Sequence, residues 1–274
     1  MTRQVRQPYE KWVQQWELIP EGEPFRSGTG QTLLPVRYRN QPAMLKISTA
    51  PEEQNGAHVM VWWDGIGAAS IFAHDGDALL LERATGERDL VAMSRAGQDD
   101  EAIRILVAVA QALHAKRSTP APATLMPMTI RFRALLEHAS LPGDFYDCAA
   151  TTVRKLLANP LDRTVLHGDI QHYNILDFGD RGWLVIDPKG VLGESTFDFA
   201  NIFCNPLDEI ALSPGRVAHR ADLIAELTGI DRTRLLQWVV AYCGLSACWH
   251  LEDGTDPTCP LTVGKAALAE LART

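Results

Sequence analysis

Long apolar runs are missing from this sequence. No segment approaches the roughly 18 to 20 uninterrupted hydrophobic residues that a membrane-spanning helix needs, and the start Met1-Thr2-Arg3-Gln4 leads into no apolar signal core. A cytoplasmic protein without a membrane partner is the resulting expectation. Cysteine is scarce: the five residues Cys148, Cys204, Cys243, Cys248 and Cys259 are odd in number and lack the close pairing of zinc sites. Reduced thiols are expected, not a disulfide framework. Positive charge is in deficit as well, since 26 Lys and Arg against 34 Asp and Glu leave a formal charge of −8. That balance argues against a nucleic-acid partner, which would be bound through clustered Lys and Arg, and it suits a cationic small molecule. Ser70, Ser94 and Ser195 lack a Gly-x-Ser-x-Gly elbow, which removes the usual hydrolase argument. There is no internal repeat and no low-complexity tract.

What is present is an ordinary globular composition, 46% hydrophobic and 22% charged over 274 residues, enough for one large domain or two modest lobes. Apolar runs at Leu33 to Arg39 and Ala43 to Ile47, separated by Asn40-Gln41, predict two short strands joined by a turn. Pro51 with Glu52 and Glu53 opens a helix that Asp64-Gly65 closes. Ala68 to Ala73 and Ala78 to Leu81 flank His74-Asp75-Gly76-Asp77 and read as a hairpin. Residues 1–83 therefore form a strand-rich small lobe with one helix. Beyond Arg83 the period changes: Ile103, Leu106, Val107, Ala110 and Leu113 recur at helical spacing between Asp99 and Lys116. Helical patterns return at Ile130 to His138, Phe145 to Ala158 and Arg232 to Leu251, with short apolar runs and tight turns between Thr164 and Ile186. Residues 84–274 read as a mainly helical lobe, and the class as α+β.

The most informative segment is Val165-Leu166-His167-Gly168-Asp169-Ile170-Gln171-His172-Tyr173-Asn174-Ile175-Leu176, followed by Trp183-Leu184-Val185-Ile186-Asp187-Pro188. It combines His-x-Asp, an Asn five residues after the Asp, and a second Asp ending a hydrophobic strand. Phosphoryl transfer needs such groups: one carboxylate to orient and deprotonate an attacking hydroxyl, and an amide plus a further carboxylate to hold magnesium against phosphates. The competing reading of His167, His172 and Asp169 as zinc ligands has neither a helical His pair at four-residue spacing nor a third nearby His.

The run from His167-Gly168-Asp169 to Asn174 resembles the catalytic loop of aminoglycoside phosphotransferases and choline kinases, where protein kinases have Arg in place of Gly168. Asp187-Pro188-Lys189-Gly190, Trp62-Trp63-Asp64-Gly65-Ile66-Gly67-Ala68 and Leu80-Leu81-Glu82-Arg83-Ala84 resemble the streptomycin 6-kinase and hydroxyurea-resistance branch of that family. The resemblance implies a two-lobed protein-kinase-like fold with a small antiparallel-sheet lobe, ATP and Mg²⁺ as cosubstrate and metal, and a small-molecule hydroxyl as acceptor. It implies Asp169 as catalytic base, Asn174 and Asp187 as metal ligands and His167 as support of the loop. Asp198, in Ser195-Thr196-Phe197-Asp198, matches a family Asp that braces the loop.

Lys46 ends the strand Ala43 to Ile47 where a kinase places its phosphate lysine, with Glu53 the candidate partner; Gly stands at 56, where a Glu would have been equally well placed. Glu52 and Glu53 also suit a helix N-terminus through its dipole alone. Gly28, Thr29 and Gly30 occupy the place of the phosphate-covering turn, and Glu82 and Ala84 that of the hinge that meets adenine. Carboxylates following the catalytic segment, Glu194, Asp208 and Asp253 first among them, are candidates to receive a cationic acceptor such as the guanidinium-bearing streptomycin. A kinase of a housekeeping amino alcohol, sugar or hydroxyurea-like compound shares every catalytic residue with this reading, and a non-catalytic nucleotide-binding pseudokinase shares the fold.

Overall fold

Period-two burial organises the first part of the chain, in a computed structural model that describes residues 9–28, 30–138 and 144–273. In β3 (Thr32–Tyr38) and β4 (Gln41–Ile47), Leu34, Val36, Ala43 and Leu45 are buried on one face, while Leu33, Met44 and Lys46 point to the other. The buried face packs with Ala78 and Leu80 of β6 (Ala78–Glu82) beneath Trp12 and Leu18. Trp12 lies in a short helix α1 (Glu10–Gln15). Two-residue strands β1 (Ile19–Pro20) and β2 (Phe25–Arg26) both pair with β3, and β5 (Ile71–Asp75) completes an antiparallel sheet ordered β1-β3-β4-β6-β5. Strands of two residues are too short to announce themselves by alternation, so β1 and β2 had no sequence signal.

The opposite face of the sheet meets α2 (Pro51–Trp63), which starts with Pro in its first turn and ends on left-handed Asp64 before Gly65. Leu79 and Leu81 join Met60 and Trp63 of this side in one apolar cluster with the helices that follow. Those include α3 (Leu90–Arg95), α4 (Asp99–His114) and, after β7 (Met126–Pro127), the short helices α5 (Met128–Arg131) and α6 (Arg133–His138). The single helix expected at Ile130 to His138 is thus interrupted at Phe132, a fully buried ring packed on Phe197 and Trp238.

Next come α7 (Phe145–Ala158), β8 (Thr164–Leu166), the hairpin β9 (Ile175–Asp177) and β10 (Trp183–Val185), and β11 (Val191–Gly193), which lies between β7 and β8. A 3-10 segment, Ser195–Cys204, leads to α8 (Asp208–Ala211), α9 (Arg216–Thr228), α10 (Arg232–Glu252) and α11 (Thr258–Leu271). From Trp238 to Leu245 every residue of α10 is buried, as a helix must be when α6, α7, α11 and the 3-10 segment surround it. Fully buried Arg220 of α9 clasps Asp99 at the start of α4 (3.0 Å) and donates to the carbonyls of Ile202 and Asn205 (2.7 Å each), so one guanidinium ties the end of the 3-10 segment to α4. No helix among the described residues is long and apolar enough to cross a membrane.

Candidate active site

β8 delivers the chain into a loop whose backbone is held by a single carboxylate. Asp198 accepts from the N–H groups of His167 (3.0 Å) and Gly168 (2.7 Å), and it also contacts His114 Nε2 (2.8 Å). His167 is fully buried, and burial depresses its pKa to about 4, so the ring is neutral. Its Nε2–H donates to the Ile186 carbonyl (2.9 Å), and its Nδ1 accepts from Asp169 N–H (3.2 Å). One imidazole thereby ties Asp169 to the residue that precedes Asp187.

The Asp169 carboxylate is held at both oxygens by amides. Asn174 Nδ2 donates to Oδ2 (2.9 Å) and Asn201 Nδ2 to Oδ1 (2.7 Å). Asn201 is aimed in turn by Tyr242 O–H (2.5 Å) and Asn205 Nδ2 (2.9 Å), both donating to its carbonyl oxygen. Burial raises the Asp169 pKa to about 6, against the opposing pull of Lys189 and Arg131.

Asp187 sits at φ 64°, a left-handed conformation that short polar side chains tolerate. Lys46 pairs with both Glu53 and Asp187, and Lys189 pairs with the same two acids through their other oxygens, at 2.9 Å to Glu53 Oε1 and 3.3 Å to Asp187 Oδ2. Burial opposes the charge on Asp187, but the two lysines outweigh it and lower its pKa below the ordinary range. The position of Gly56 follows from the same contact between α2 and the Asp187 loop: a Cβ there would lie 2.0 Å from the Pro188 carbonyl oxygen. A Glu at 56 is sterically barred, which leaves Glu53 to face Lys46.

Lys46, Asn174 and Asp187 open onto one cavity of about 590 Å³ between the lobes, walled by apolar side chains including Leu33, Met44, Leu81, Leu176 and Ile186. This is the size and character of a small-molecule site. Glu82 and Ala84 line its hinge end, and Gly28 lines its roof. The Glu82 carboxylate faces elsewhere, accepting from Ser70 N–H and from Arg181. Gly30, at φ 82°, shapes the roof turn by donating to the Ser27 carbonyl; Thr29 lies outside the described residues.

Among the expected acceptor carboxylates, Glu194 requires correction. Glu194 is buried at 2% exposure, where Arg234 grips both its oxygens and Trp238 Nε1–H (2.8 Å) and Leu161 N–H (3.2 Å) add two more donors. A carboxylate so enclosed fastens α10 to the loop after α7 and is not available to a ligand. Asp208 and Asp253 are exposed at the start of α8 and the end of α10. The hollow adjoining the catalytic loop, about 420 Å³, is lined instead by Arg131, Glu137, Trp249 and Glu252; Arg131 donates to the Gly168 carbonyl (3.1 Å) and its guanidinium stacks on Trp249 (4.4 Å). Sequence reasoning also passed over Lys189, Asn201 and Tyr242. For Asn201 a signal existed: it follows Asp198 by three, and in a 3-10 segment such residues share a face.

The family model of aminoglycoside/hydroxyurea antibiotic resistance kinases matches residues 15–254. A streptomycin 3''-kinase of Klebsiella pneumoniae is 47% identical over 251 residues, covering 88% of this chain and 92% of that protein. A streptomycin 6-kinase of Streptomyces griseus is 31% identical, covering 94% of this chain and 87% of its own length. Among solved structures, a thermostable mutant of the aminoglycoside phosphotransferase APH(4)-Ia, in a ternary complex with AMP-PNP and hygromycin B, superposes with a TM-score of 0.68 at 12% identity, covering 97% of this chain and 99% of that one. That likeness speaks for the protein-kinase-like fold. By its family match and its relatives, the chain belongs to the aminoglycoside/hydroxyurea antibiotic resistance kinases and is a phosphotransferase acting on small molecules.

Proposed function

We propose that this enzyme transfers the terminal phosphoryl group of ATP to a hydroxyl of streptomycin. The observation that carries the choice of acceptor is the 47% identity to a streptomycin 3''-kinase across nearly the whole of both chains, against 31% to a 6-kinase. The 3'' hydroxyl is accordingly the proposed position, which the motifs alone left open. ATP is taken up between the lobes, adenine against Glu82 to Ala84 and phosphates toward Lys46, Gly28 and the roof turn. Asn174 and Asp187 supply oxygen donors to the same cavity with no thiol or imidazole among them, a set that suits Mg²⁺ completed by phosphate and water. When bound, such an ion would neutralise phosphate charge.

Asp169 accepts the proton of the acceptor hydroxyl as that oxygen attacks the terminal phosphorus and ADP leaves. The paired amides of Asn174 and Asn201 hold the carboxylate in one orientation, so its alignment is present before the acceptor arrives. His167 stays neutral and structural. Streptomycin carries guanidinium groups, for which Glu137 and Glu252 beside Trp249 provide carboxylate and aromatic partners. A cytoplasmic location, where ATP is available, belongs to the same proposal.

The test is a coupled ADP-release assay of purified protein with streptomycin, other aminoglycosides, hydroxyurea and simple amino alcohols, followed by phosphorus NMR of the product. Streptomycin-dependent turnover with phosphate at the 3'' oxygen is expected. Turnover on an amino alcohol or hydroxyurea without turnover on streptomycin would overturn the acceptor assignment.

A further inference from the structure

Two lysines, one from each lobe, share the same pair of acids. Lys46 comes from the sheet, and Lys189 from the loop after Asp187; each takes one oxygen of Glu53 and one of Asp187. Glu53 needs only one of them as a partner. Lys189 is nevertheless buried at 9% exposure, which is costly for an ammonium group unless its surroundings require the charge. Its backbone places it on the catalytic-loop side: Lys189 N–H donates to the His167 carbonyl (2.7 Å), two residues from Asp169. Its stem passes beside Gly168, where an added Cβ would lie 3.4 Å from Lys189 Cβ and 2.8 Å from Val191 Cγ2. The room left by a glycine at 168 is taken by Val191, with the Lys189 stem in van der Waals contact beside it. Lys189 also exerts the leading charge attraction on Asp169, ahead of Arg131.

We propose that Lys189 is a second phosphate-directed cation, which meets the terminal, transferring phosphoryl group while Lys46 meets the inner phosphates. The proposal rests on the kinase reading above. When nucleotide enters, Lys46 turns from Asp187 to the phosphates, and Glu53 retains both lysines. In the transfer, the bond from the terminal phosphorus to its bridging oxygen breaks with its electron pair going to ADP. The new bond forms to the acceptor oxygen, whose proton goes to Asp169. Lys189 gives up no proton; it offsets the charge spread over the outer oxygens of the group in flight.

The test compares calorimetric binding of ADP and of AMP-PNP, each with Mg²⁺, in the unsubstituted protein and in Lys189→Gln, which keeps a donor for Glu53 but removes the charge. AMP-PNP affinity is expected to fall roughly tenfold or more while ADP affinity stays within about twofold, with recovery in Lys189→Arg. The turnover number should fall more than the acceptor KM rises. A parallel loss of both nucleotides would make Lys189 a brace for Glu53 and Lys46 and overturn the proposal, as would no change in either. If the variants fail to fold, the Lys189 ammonium resonance followed by NMR in the unsubstituted protein should move with AMP-PNP and not with ADP; equal movement overturns it. Should the unsubstituted protein bind neither nucleotide, the kinase reading fails and takes this proposal with it.

Discussion

On the nucleotide side of Asp169, charged groups hold one another: Lys46 and Lys189 both grip Glu53 and Asp187, and α2 presses against the Pro188 carbonyl with only Gly56 between. On the side where we propose that the acceptor binds, Glu137 and Glu252 are exposed around a polar hollow, and Arg131 lies on Trp249. The first wall is organised before any ligand arrives, which suits a step whose acceleration comes mainly from positioning. The second leaves carboxylates in water, where they can pair with whatever cationic molecule fits. On that proposal, acceptor choice shifts through a few surface residues without disturbing the chemistry.

Five substitutions put that contrast at risk. The largest effect is expected of Asp169→Asn, which should cut transfer on the order of 10² to 10⁴ fold while ADP affinity, measured by calorimetry, is kept. The same group governs acidity. Asp169 must be ionised to accept a proton, and its folded pKa is raised to about 6, so kcat/KM should decline as pH falls through about 6. The stability sign is opposite. A carboxylate with a folded pKa above its unfolded value binds more protons when folded, so its cost to stability is present above pH 6 and is relieved as pH drops toward 4. Asp169→Asn should therefore not destabilise the protein at neutral pH; a clear loss in denaturant melts would contradict the assigned burial.

Glu194→Ala comes second. Removing one partner of the buried pair with Arg234 should cost about 3 to 5 kcal/mol in denaturant unfolding, with the acceptor KM of the remaining folded enzyme unmoved. A raised KM at unchanged stability would return Glu194 to the acceptor site.

Asn201→Ala follows. The loss of a hydrogen bond to a charged carboxylate predicts a kcat reduction of about tenfold or somewhat more, with nucleotide affinity retained. Tyr242→Phe should show a weaker form of the same effect, since Asn205 still supports Asn201.

Glu252→Ala is expected to be mildest in stability, within about 0.5 kcal/mol, yet to raise the streptomycin KM several fold without altering ADP binding. If it altered nucleotide affinity as well, the two walls would not be independent.

Much of the scaffold is readable along the chain. Leu34, Val36, Ala43 and Leu45 alternate because a strand turns every second side chain to the same face, and Phe145 to Ala158 shows the helical period over its full length. The loop from His167 to Asn174 is recognisable because its groups converge within eight consecutive residues. Local chemistry of that kind is written in order. The service of Glu194 to Arg234 and Trp238, the aiming of Asn201 by Tyr242, and the meeting of Lys189 with Glu53 join residues 40, 44, 41 and 136 positions apart. Sequence by itself determined which chemical groups were available and which elements carry them. Only the packing of α2 and α10 against the catalytic segments decided which carboxylate is buried in a pair, which amide reaches Asp169 and which lysines share Glu53 and Asp187, because a side chain's partner is set by what the fold brings within about 3 Å of it.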